Sequence, residues 1–299
     1  MKTSIKCAVI VSSCDKYEDA WTPFFTLIGK YWTDCPYPFY LNTETRKVDK
    51  IAGIPVTSIS NPYQNCSWGK RLIHALKQIN SEYVIFMLED FFLMSPVDQK
   101  ELDHSIELMD ANPKVSNINF GYGKSIESTD FIDPLYAKRS RNTGYYLNAQ
   151  AAIWRRKMLI ELLSPYESAW QFELYGSERA KLYSYDFIIR KDDIPIFDYH
   201  TQLSFNLGIQ KGMWMKGNVE FFQKEGINGT NWGNLGFYSP EKVNKTYAAL
   251  PPKRTIKEKW MRLLYAGEDI PRWTIHEQLK LLFTHPICYA KKKVHALRR

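Results

Sequence analysis

The sequence lacks the patterns that define several common protein classes. Its 5 cysteines are scattered along 299 residues without C-x-x-C spacing, which argues against a disulfide framework and against a metal–thiolate site. No stretch approaches the roughly 18 consecutive apolar residues of a membrane-spanning helix, and the early apolar run 7–11 is too short for a secretory signal. We therefore expect a cytoplasmic protein with reduced thiols. There is no helix-turn-helix, RNP or zinc pattern, so no nucleic-acid partner is expected.

Acidic residues are fewer than basic ones, and the basic residues cluster towards the C-terminal part of the sequence. The formal net charge is +8, and basic residues cluster at 253–262, at 291–293 and at the closing Arg298 and Arg299. Such a region suits an anionic membrane face, a nucleic acid or a phosphorylated substrate, while a solvated basic tail is an equal alternative. We expect residues 251–299 to form a basic helical appendage.

Strand-like and helix-like segments alternate along the first part of the chain. Strands are predicted at 6–13, 37–42, 56–59 and 83–88, and helices at 20–31 and 69–79. This alternation predicts an α/β fold with a doubly wound, mostly parallel sheet. Further on, the patterns predict helices at 97–111, 155–163 and 170–183, extended segments at 115–120 and 145–153, and loops with short strands over 190–250. We expect one catalytic domain over 1–250, with halves 1–95 and 96–250.

The apolar segment 83–88 is the most informative one, because it runs directly into Glu89 and Asp90. Burying an unpaired carboxylate is costly, and ligands of open α/β sheets lie outside the carboxyl ends of the strands. The segment therefore predicts a metal-assisted site for a phosphorylated substrate. If the strand continued through both acids, their side chains would point to opposite faces, and Asp90 alone would reach the ion. Asp90 could instead cap a helix, and Glu89 could pair with Lys70 or Arg71.

The order of these segments resembles the nucleotide-sugar-binding half of GT-A glycosyltransferases, notably the family-2-like bacterial enzymes of capsule, O-antigen and teichoic-acid assembly. The resemblance covers roughly residues 5–215. It lies in the first strand and loop 9–17, the segment 67–71 before a helix, the acidic strand end 83–90 and the later block 150–173. It implies transfer of a sugar from a nucleotide-sugar donor, with a weak preference for UDP, to a glycan or lipid-linked glycan at an anionic membrane surface. It also implies Mg²⁺ or Mn²⁺ held by Asp90 between the protein and the diphosphate.

The resemblance also implies roles for residues that precede the acidic strand end. Ser12 and Asp15 would lie in the nucleotide-sugar site, with Asp15 accepting a hydrogen bond from the uracil or the ribose. Arg71 would hold the diphosphate through charge-assisted hydrogen bonds. Asp15 could instead be a turn residue, and Arg71 could form a surface salt bridge.

An inverting transfer needs a carboxylate that deprotonates the acceptor hydroxyl, and we favour inversion with Glu173 as that base. Its aromatic neighbours could stack on a sugar and raise the carboxyl pKa. A salt bridge with Arg179 or Lys181 is the alternative. Asp186 is a reserve candidate, as is the pair at 192–193, and a retaining mechanism would not need this base.

Aromatic and histidine side chains supply the remaining candidates. Trp154, Trp170 and Trp214 could be stacking platforms for the acceptor, although each could equally belong to the core. His200 could complete a metal shell, but a single histidine is more often structural. The glycine-containing segments 212–214 and 226–236 could form a flap over the donor or a plain surface connection.

Two other function classes compete with this hypothesis. A nucleotidyltransferase would use a similar nucleotide-binding sheet, but it needs a glycine-rich phosphate loop after the first strand. The segment Ser12-Ser13-Cys14-Asp15 contains no glycine. A non-catalytic nucleic-acid-binding protein would fit the positive charge alone.

Overall fold

The structure is a computed structural model that describes residues 5–62, 66–120, 130–141, 146–181, 183–191, 194–199 and 208–239. The predicted basic appendage 251–299, His200 and the reserve pair at 192–193 lie outside these residues. Within the described part of the chain, no helix is both long and apolar enough to span a bilayer.

Ten strands form one sheet in the order β3-β4-β2-β1-β5-β9-β6-β10-β8-β7. These strands are β1 (Ile5–Ser12), β2 (Phe39–Asn42), β3 (Lys50–Ile51), β4 (Ile54–Ile59), β5 (Ser81–Leu88), β6 (Val115–Asn119), β7 (Phe131–Asp133), β8 (Tyr136–Lys138), β9 (Ala152–Arg155) and β10 (Asp186–Arg190). Two further strands, β11 (Ile209–Gln210) and β12 (Met213–Trp214), form a separate hairpin.

Most strands of the large sheet run in one direction. Strands β4, β2, β1 and β5 are parallel neighbours, and β9 is an antiparallel insertion between β5 and β6. Strand β10 is parallel to β6, so both run in the direction of β5. The predicted α/β fold with a mostly parallel sheet is therefore confirmed.

Helices cover both faces of the sheet, which makes it doubly wound. They are α1 (Glu18–Tyr31), α2 (Trp68–Gln78), α3 (Gln99–Ala111), α4 (Arg156–Leu162), α5 (Ala169–Gln171), α6 (Ser177–Ala180) and α7 (Gly217–Lys224). The apolar residues of α1 and α3 pack on one face, and those of α2 and α4 pack on the other. Strands β1 and β5 lie between the two cores and are buried on both sides, which explains their continuous apolar sequences.

The helix starts follow ordinary capping chemistry. Ser67 caps α2 by accepting a hydrogen bond from the amide of Lys70, and Asp98 caps α3 through the amide of Glu101. The predicted helix 170–183 is divided into α5, a π-helical turn over Phe172–Gly176, and α6. Helix α7 was not predicted, because residues 190–250 read as loops and short strands.

A buried ion pair fastens α6 to the segment before α5, and the backbone of that segment holds the start of α2. Arg179 donates to both carboxylate oxygens of Glu167 at 2.6 and 2.8 Å, and both side chains are almost fully buried. The backbone of Glu167 accepts the amide of Gly69 at 2.9 Å, and a Cβ on Gly69 would collide with the carbonyl oxygen of Ser164. Glycine is therefore required where α2 meets this segment.

We expect Arg179→Ala to destabilise the fold by about 3–5 kcal/mol, because it leaves the Glu167 carboxylate buried without its partner. The matched control is Lys181→Ala, which removes the partly exposed pair with Glu178 and is expected to cost less than about 1 kcal/mol. Urea unfolding of both variants measures the difference. Equal destabilisation by the two substitutions would contradict this assignment.

Candidate functional site

The candidate site lies where the chain reverses its course through the sheet. From β1 the chain proceeds outwards to β2 and β4, and then crosses back to form β5 on the other side of β1. Strands β1 and β5 are parallel and in register, with Ser12 opposite Leu88, so the segments after them leave the same edge. A crevice opens at such a topological switch point, and ligands of open α/β sheets bind there. We call this edge the switch-point edge.

Glu89 and Asp90, here called the acid pair, follow β5 at the switch-point edge. The strand ends at Leu88, and the amide of Phe91 closes a turn by donating to the Leu88 carbonyl at 3.2 Å. Because the acids lie in this turn, the strand alternation that would send them to opposite faces does not apply. Burial, followed by the charges of Glu89 and Asp90, raises the pKa of Tyr17 to about 12. Both carboxylates therefore lie within electrostatic range of one phenol.

The acid pair is buried, with Glu89 6% and Asp90 8% exposed. Burial and then the charge of Asp90 raise the pKa of Glu89 well above its ordinary value. Burial also raises the pKa of Asp90 to about 6, although the amide of Ile209, which donates to Oδ2 at 3.0 Å, opposes the shift. Two desolvated neighbouring carboxylates are an unfavourable arrangement that a bound cation would relieve.

The acid pair fits a divalent cation that is shared with a phosphorylated ligand. No group of three histidine, cysteine or acidic side chains with metal-binding geometry occurs within the described ranges. Mg²⁺ commonly uses one or two carboxylates and takes its remaining oxygen ligands from water and substrate phosphates. The carboxylate oxygens of Glu89 and Asp90 are donors of this kind, so the predicted Mg²⁺ or Mn²⁺ is chemically compatible with them.

Arg71 provides positive charge beside the acid pair. Its Nη1 donates to Oε1 of Glu44 at 2.6 Å, and only 12% of its side chain is exposed. Its charge lowers the pKa of Glu89, while its Nε is buried without a hydrogen-bond partner among the described residues. Arg71 thus forms a salt bridge with Glu44, which was the alternative to diphosphate binding, and its contact with a diphosphate stays a prediction.

Asp15 organises the loop that follows β2. Its carboxylate accepts hydrogen bonds from the backbone amides of Glu44 and Thr45, both at 2.9 Å, and from the Thr45 hydroxyl at 2.5 Å. Burial alone would raise the pKa of Asp15, but these hydrogen bonds lower it overall. Asp15 is therefore at the predicted edge, and its carboxylate is engaged in holding Glu44 next to Arg71.

Ser12 joins β1 to the start of α2. Its hydroxyl accepts the indole N–H of Trp68 at 2.9 Å, and the residue is 1% exposed. The neighbouring Ser13 accepts the indole N–H of Trp21 at 2.8 Å in the same way. Both serines at the end of β1 hold helices in place. Contact of Ser12 with a nucleotide stays a prediction.

The β11–β12 hairpin, here called the site hairpin, lies over the switch-point edge. Its turn residues Lys211 and Gly212 have φ values of 49° and 77°, which suit a two-residue hairpin turn. A Cβ on Gly212 would lie 3.0 Å from Nζ of Lys16 and 3.6 Å from the hydroxyl of Tyr17. The hairpin therefore contacts the segment after β1 as well as Asp90, and a role as a flap over the donor stays a prediction.

Glu173 lies in the π-helical turn and is partly buried. Its Oε1 accepts the amide of Ala149 at 2.8 Å, and burial raises its pKa. Ala149 precedes β9, whose first residue Ala152 pairs with Phe86 near the end of β5. Glu173 thus lies towards the switch-point edge, and its role as a base stays a prediction.

Asp186 lies at the opposite edge of the sheet, which does not suit the reserve catalytic role predicted for it. It begins β10, beside the start of the parallel strand β6, and its carboxylate is 3.6 Å from Nζ of Lys138. The strand registers place it about seven residues from Glu89 along the sheet, or roughly 20 Å. Sequence alone could not show this, because β9 separates β5 from β6.

The three candidate tryptophans have different environments. Trp154 and Trp214 are 2% and 0% exposed and pack in the two cores, so neither offers an open face for stacking. Trp170 is 64% exposed in α5, three residues before Glu173. The acceptor-stacking prediction therefore rests on Trp170.

Sequence reasoning missed Glu44, Tyr17 and Ile209 at this site. Glu44 follows β2, a parallel neighbour of β1, so the rule that points to the strand ends could have identified it. Ile209 is 119 positions from Asp90, and no local pattern in the sequence connects them.

We expect Asp90→Asn to stabilise the free protein at pH 7.5 by about 1–3 kcal/mol, because the ionised carboxylate is disfavoured in its buried position. The folded pKa of Asp90 is raised to about 6 from an ordinary 3.8, so this gain should be full above pH 6 and lost below about pH 4. Asp110→Asn is the control, because hydrogen bonds from Lys6 and Tyr83 lower the pKa of that carboxylate. Chemical unfolding between pH 4 and 8 measures both; a loss of stability in Asp90→Asn at pH 7.5 would contradict the assignment.

No protein-family model and no curated protein matches this sequence. Among solved structures, Staphylococcus aureus TarS 1-349 has a TM-score of 0.47 and 14% identity, with 87% of this chain and 79% of that chain covered. TarS 1-349 in complex with UDP has a TM-score of 0.44 and 14% identity; 64% of this chain is covered, and the match spans 59% of that chain. A cytidylyltransferase from Leptospira borgpetersenii has a TM-score of 0.44 and 12% identity, covering 84% and 99%.

Proposed function

We propose that the protein is a glycosyltransferase that moves a sugar from a nucleoside diphosphate donor, with UDP favoured, to a glycan or lipid-linked glycan of a bacterial surface polysaccharide. The observation that carries the proposal is the buried acid pair at the switch-point edge, with Arg71 in electrostatic range. The choice of UDP and of the acceptor class follows the resemblance of the sequence segments to family-2-like enzymes.

The acid pair and Arg71 carry opposite charges. The carboxylates suit a metal cation, and the guanidinium suits the diphosphate that the cation would bind. A divalent cation bound at the carboxylates would neutralise charge on the departing diphosphate. Arg71 would form charge-assisted hydrogen bonds to the same group through its unpartnered Nε or by releasing Glu44. Glu44 in turn keeps the guanidinium at the edge before the donor arrives.

Tyr17, Lys16 and the site hairpin would enclose the donor. Lys16 is exposed and its ammonium group lies against the hairpin turn, close to the Tyr17 ring. A positive side chain at the mouth of the crevice would attract a dianionic ligand, and the hairpin would exclude water from the sugar–phosphate bond.

Glu173 is the proposed base of an inverting transfer. Its partly buried carboxylate would accept the proton of the acceptor hydroxyl as that oxygen attacks the anomeric carbon of the sugar. The amide of Ala149 holds one carboxylate oxygen, which leaves the other oxygen for the acceptor. Trp170 would present its exposed ring to the acceptor sugar beside this base.

The basic residues beyond position 250 are proposed to bring the protein to an anionic membrane surface, where a lipid-linked acceptor would be found. A nucleotidyltransferase is the alternative enzyme class. It is less well supported, because Ser12 at the end of β1 is followed by Ser13, Cys14 and Asp15, with no glycine that could form a glycine-rich phosphate loop.

The first prediction of this proposal concerns donor binding. We expect one UDP-sugar with Mn²⁺ to raise the melting temperature of the wild-type protein by roughly 3–6 °C at saturating concentration. Asp90→Ala should abolish the shift, whereas Asp186→Ala at the opposite edge should retain it. A thermal-shift screen of nucleotide sugars with and without Mn²⁺ measures this. No response to any nucleotide would refute the proposal, and a response to CTP or UTP without one to nucleotide sugars would favour the nucleotidyltransferase.

The second prediction concerns the base. Glu173→Gln should lower kcat by about 10²–10⁴-fold with little change in the KM of the donor, because the amide keeps the shape of the side chain but cannot accept the proton. The control is Glu178→Gln, an exposed neighbour paired with Lys181. Steady-state transfer assays with a glycan acceptor give both constants. Unchanged kcat in Glu173→Gln would remove Glu173 from the mechanism.

A further inference from the structure

We infer that Asn218 is a positioning residue for Asp90: it fixes the Gly208–Ile209 peptide, whose N–H holds one carboxylate oxygen of Asp90 and leaves the other for the donor. This role rests on the proposed function of the site. Asn218 is fully buried near the start of α7, and its Nδ2 donates to the Gly208 carbonyl. The next amide, that of Ile209, donates to Oδ2 of Asp90 at 3.0 Å.

The Gly208–Ile209 peptide is held from several directions. The Gly208 carbonyl also accepts the amide of Met215 at 3.2 Å. A Cβ on Gly208 would lie 2.7 Å from the Asp90 carbonyl oxygen and would collide with the Phe92 ring. Only glycine allows the hairpin backbone to approach Asp90 this closely.

Helix α7, which carries Asn218, is itself anchored to the core. The ring of Phe222 packs edge-on against Phe92 and Trp214, with centroids 4.9 and 6.1 Å apart. At the other end of the helix, Glu225 accepts hydrogen bonds from Nζ of Lys30 at 2.7 Å and from the hydroxyl of Tyr31 at 2.8 Å. Asn218 therefore projects from a helix whose position is fixed relative to α1 and the sheet.

The contacts of Asn218 fit a role in positioning Asp90 better than a role in stabilising the fold. Its Oδ1 is buried and has no hydrogen-bond partner among the residues that the structure describes. Such an unpaired acceptor is a cost that an apolar side chain of similar size would avoid. If the Asn218 side chain is removed, the Gly208 carbonyl still accepts the hydrogen bond from the Met215 amide. We therefore expect the site hairpin to remain folded, with its Gly208–Ile209 peptide held less precisely.

The position of Asp90 matters because a side chain that binds a metal ion must be placed to within a fraction of an ångström. Groups that hold a metal ligand through hydrogen bonds typically contribute 10–100-fold to metal affinity or activity. The Ile209 N–H acts on Asp90 in this way, and Asn218 acts on Ile209 through the shared peptide. No local pattern in the sequence indicates this arrangement.

The test compares Asn218→Ala with the control Asn112→Ala, which removes an asparagine at the end of α3, beside the start of β6, whose Nδ2 also donates to a backbone carbonyl, that of Leu108 at 2.9 Å. Calorimetric titration measures the affinity for UDP with and without Mn²⁺. We expect Asn218→Ala to weaken Mn²⁺-dependent binding about tenfold and to leave metal-free UDP binding unchanged. Asn112→Ala should behave as the wild type. Wild-type affinity of Asn218→Ala in Mn²⁺ would overturn the inference.

Amide hydrogen exchange provides a second readout that does not depend on activity. The Ile209 amide of the wild type should be protected, and it should exchange at least tenfold faster in Asn218→Ala and in Asp90→Ala. If Asn218→Ala does not fold, the wild-type measurement decides: an Ile209 amide that exchanges at the rate of a freely exposed one overturns the inference. A protected Ile209 amide in a protein that binds no UDP under any metal condition would refute the proposed function, and the role of Asn218 in donor binding with it.

Discussion

The burial of two adjacent carboxylates at the end of β5 is the constraint on which the rest of the site depends. Glu89 and Asp90 are each less than a tenth exposed; burial raises the pKa of both carboxyl groups, and the charge of Asp90 raises that of Glu89 further. A protein selected only for stability would replace them with neutral residues. The acid pair lies at the switch-point edge, where ligands of open α/β sheets bind. A cation and an anionic ligand bound there would compensate for the buried negative charge, so the loss of stability is explained by ligand binding.

The neighbouring structure holds this unfavourable arrangement in place. Asp15 fastens the loop after β2, Glu44 in that loop holds Arg71, and Arg71 lies within electrostatic range of Glu89. On the other side, the Ile209 amide of the site hairpin contacts Asp90. The acid pair is thus supported by two segments from distant parts of the chain, one preceding it and one following it.

The sequence predicted the parts of this molecule that are recorded in local patterns. The apolar runs of β1 and β5 and the helical spacing of α2 predicted the parallel sheet and the edge at which Glu89 and Asp90 emerge. The position of Asp186 could not be predicted, because the insertion of β9 depends on pairing between segments far apart in the chain. Trp154 and Trp214 illustrate a different limit: an aromatic residue that could stack on a sugar has the same local signature as one that fills a core. The partnership of Asp90 with Ile209 and Asn218 arises only from tertiary packing.

The central claim is that a nucleoside diphosphate binds at the acid pair through a divalent cation. A crystal structure of the protein with UDP and Mn²⁺ tests it most directly. The account predicts the metal within about 2.0–2.3 Å of a carboxylate oxygen of Asp90, the diphosphate between that metal and Arg71, and the uracil near the segment after β1. Binding of UDP at another edge of the sheet, or at this edge with Asp90 and Arg71 in contact with neither metal nor phosphate, would contradict it.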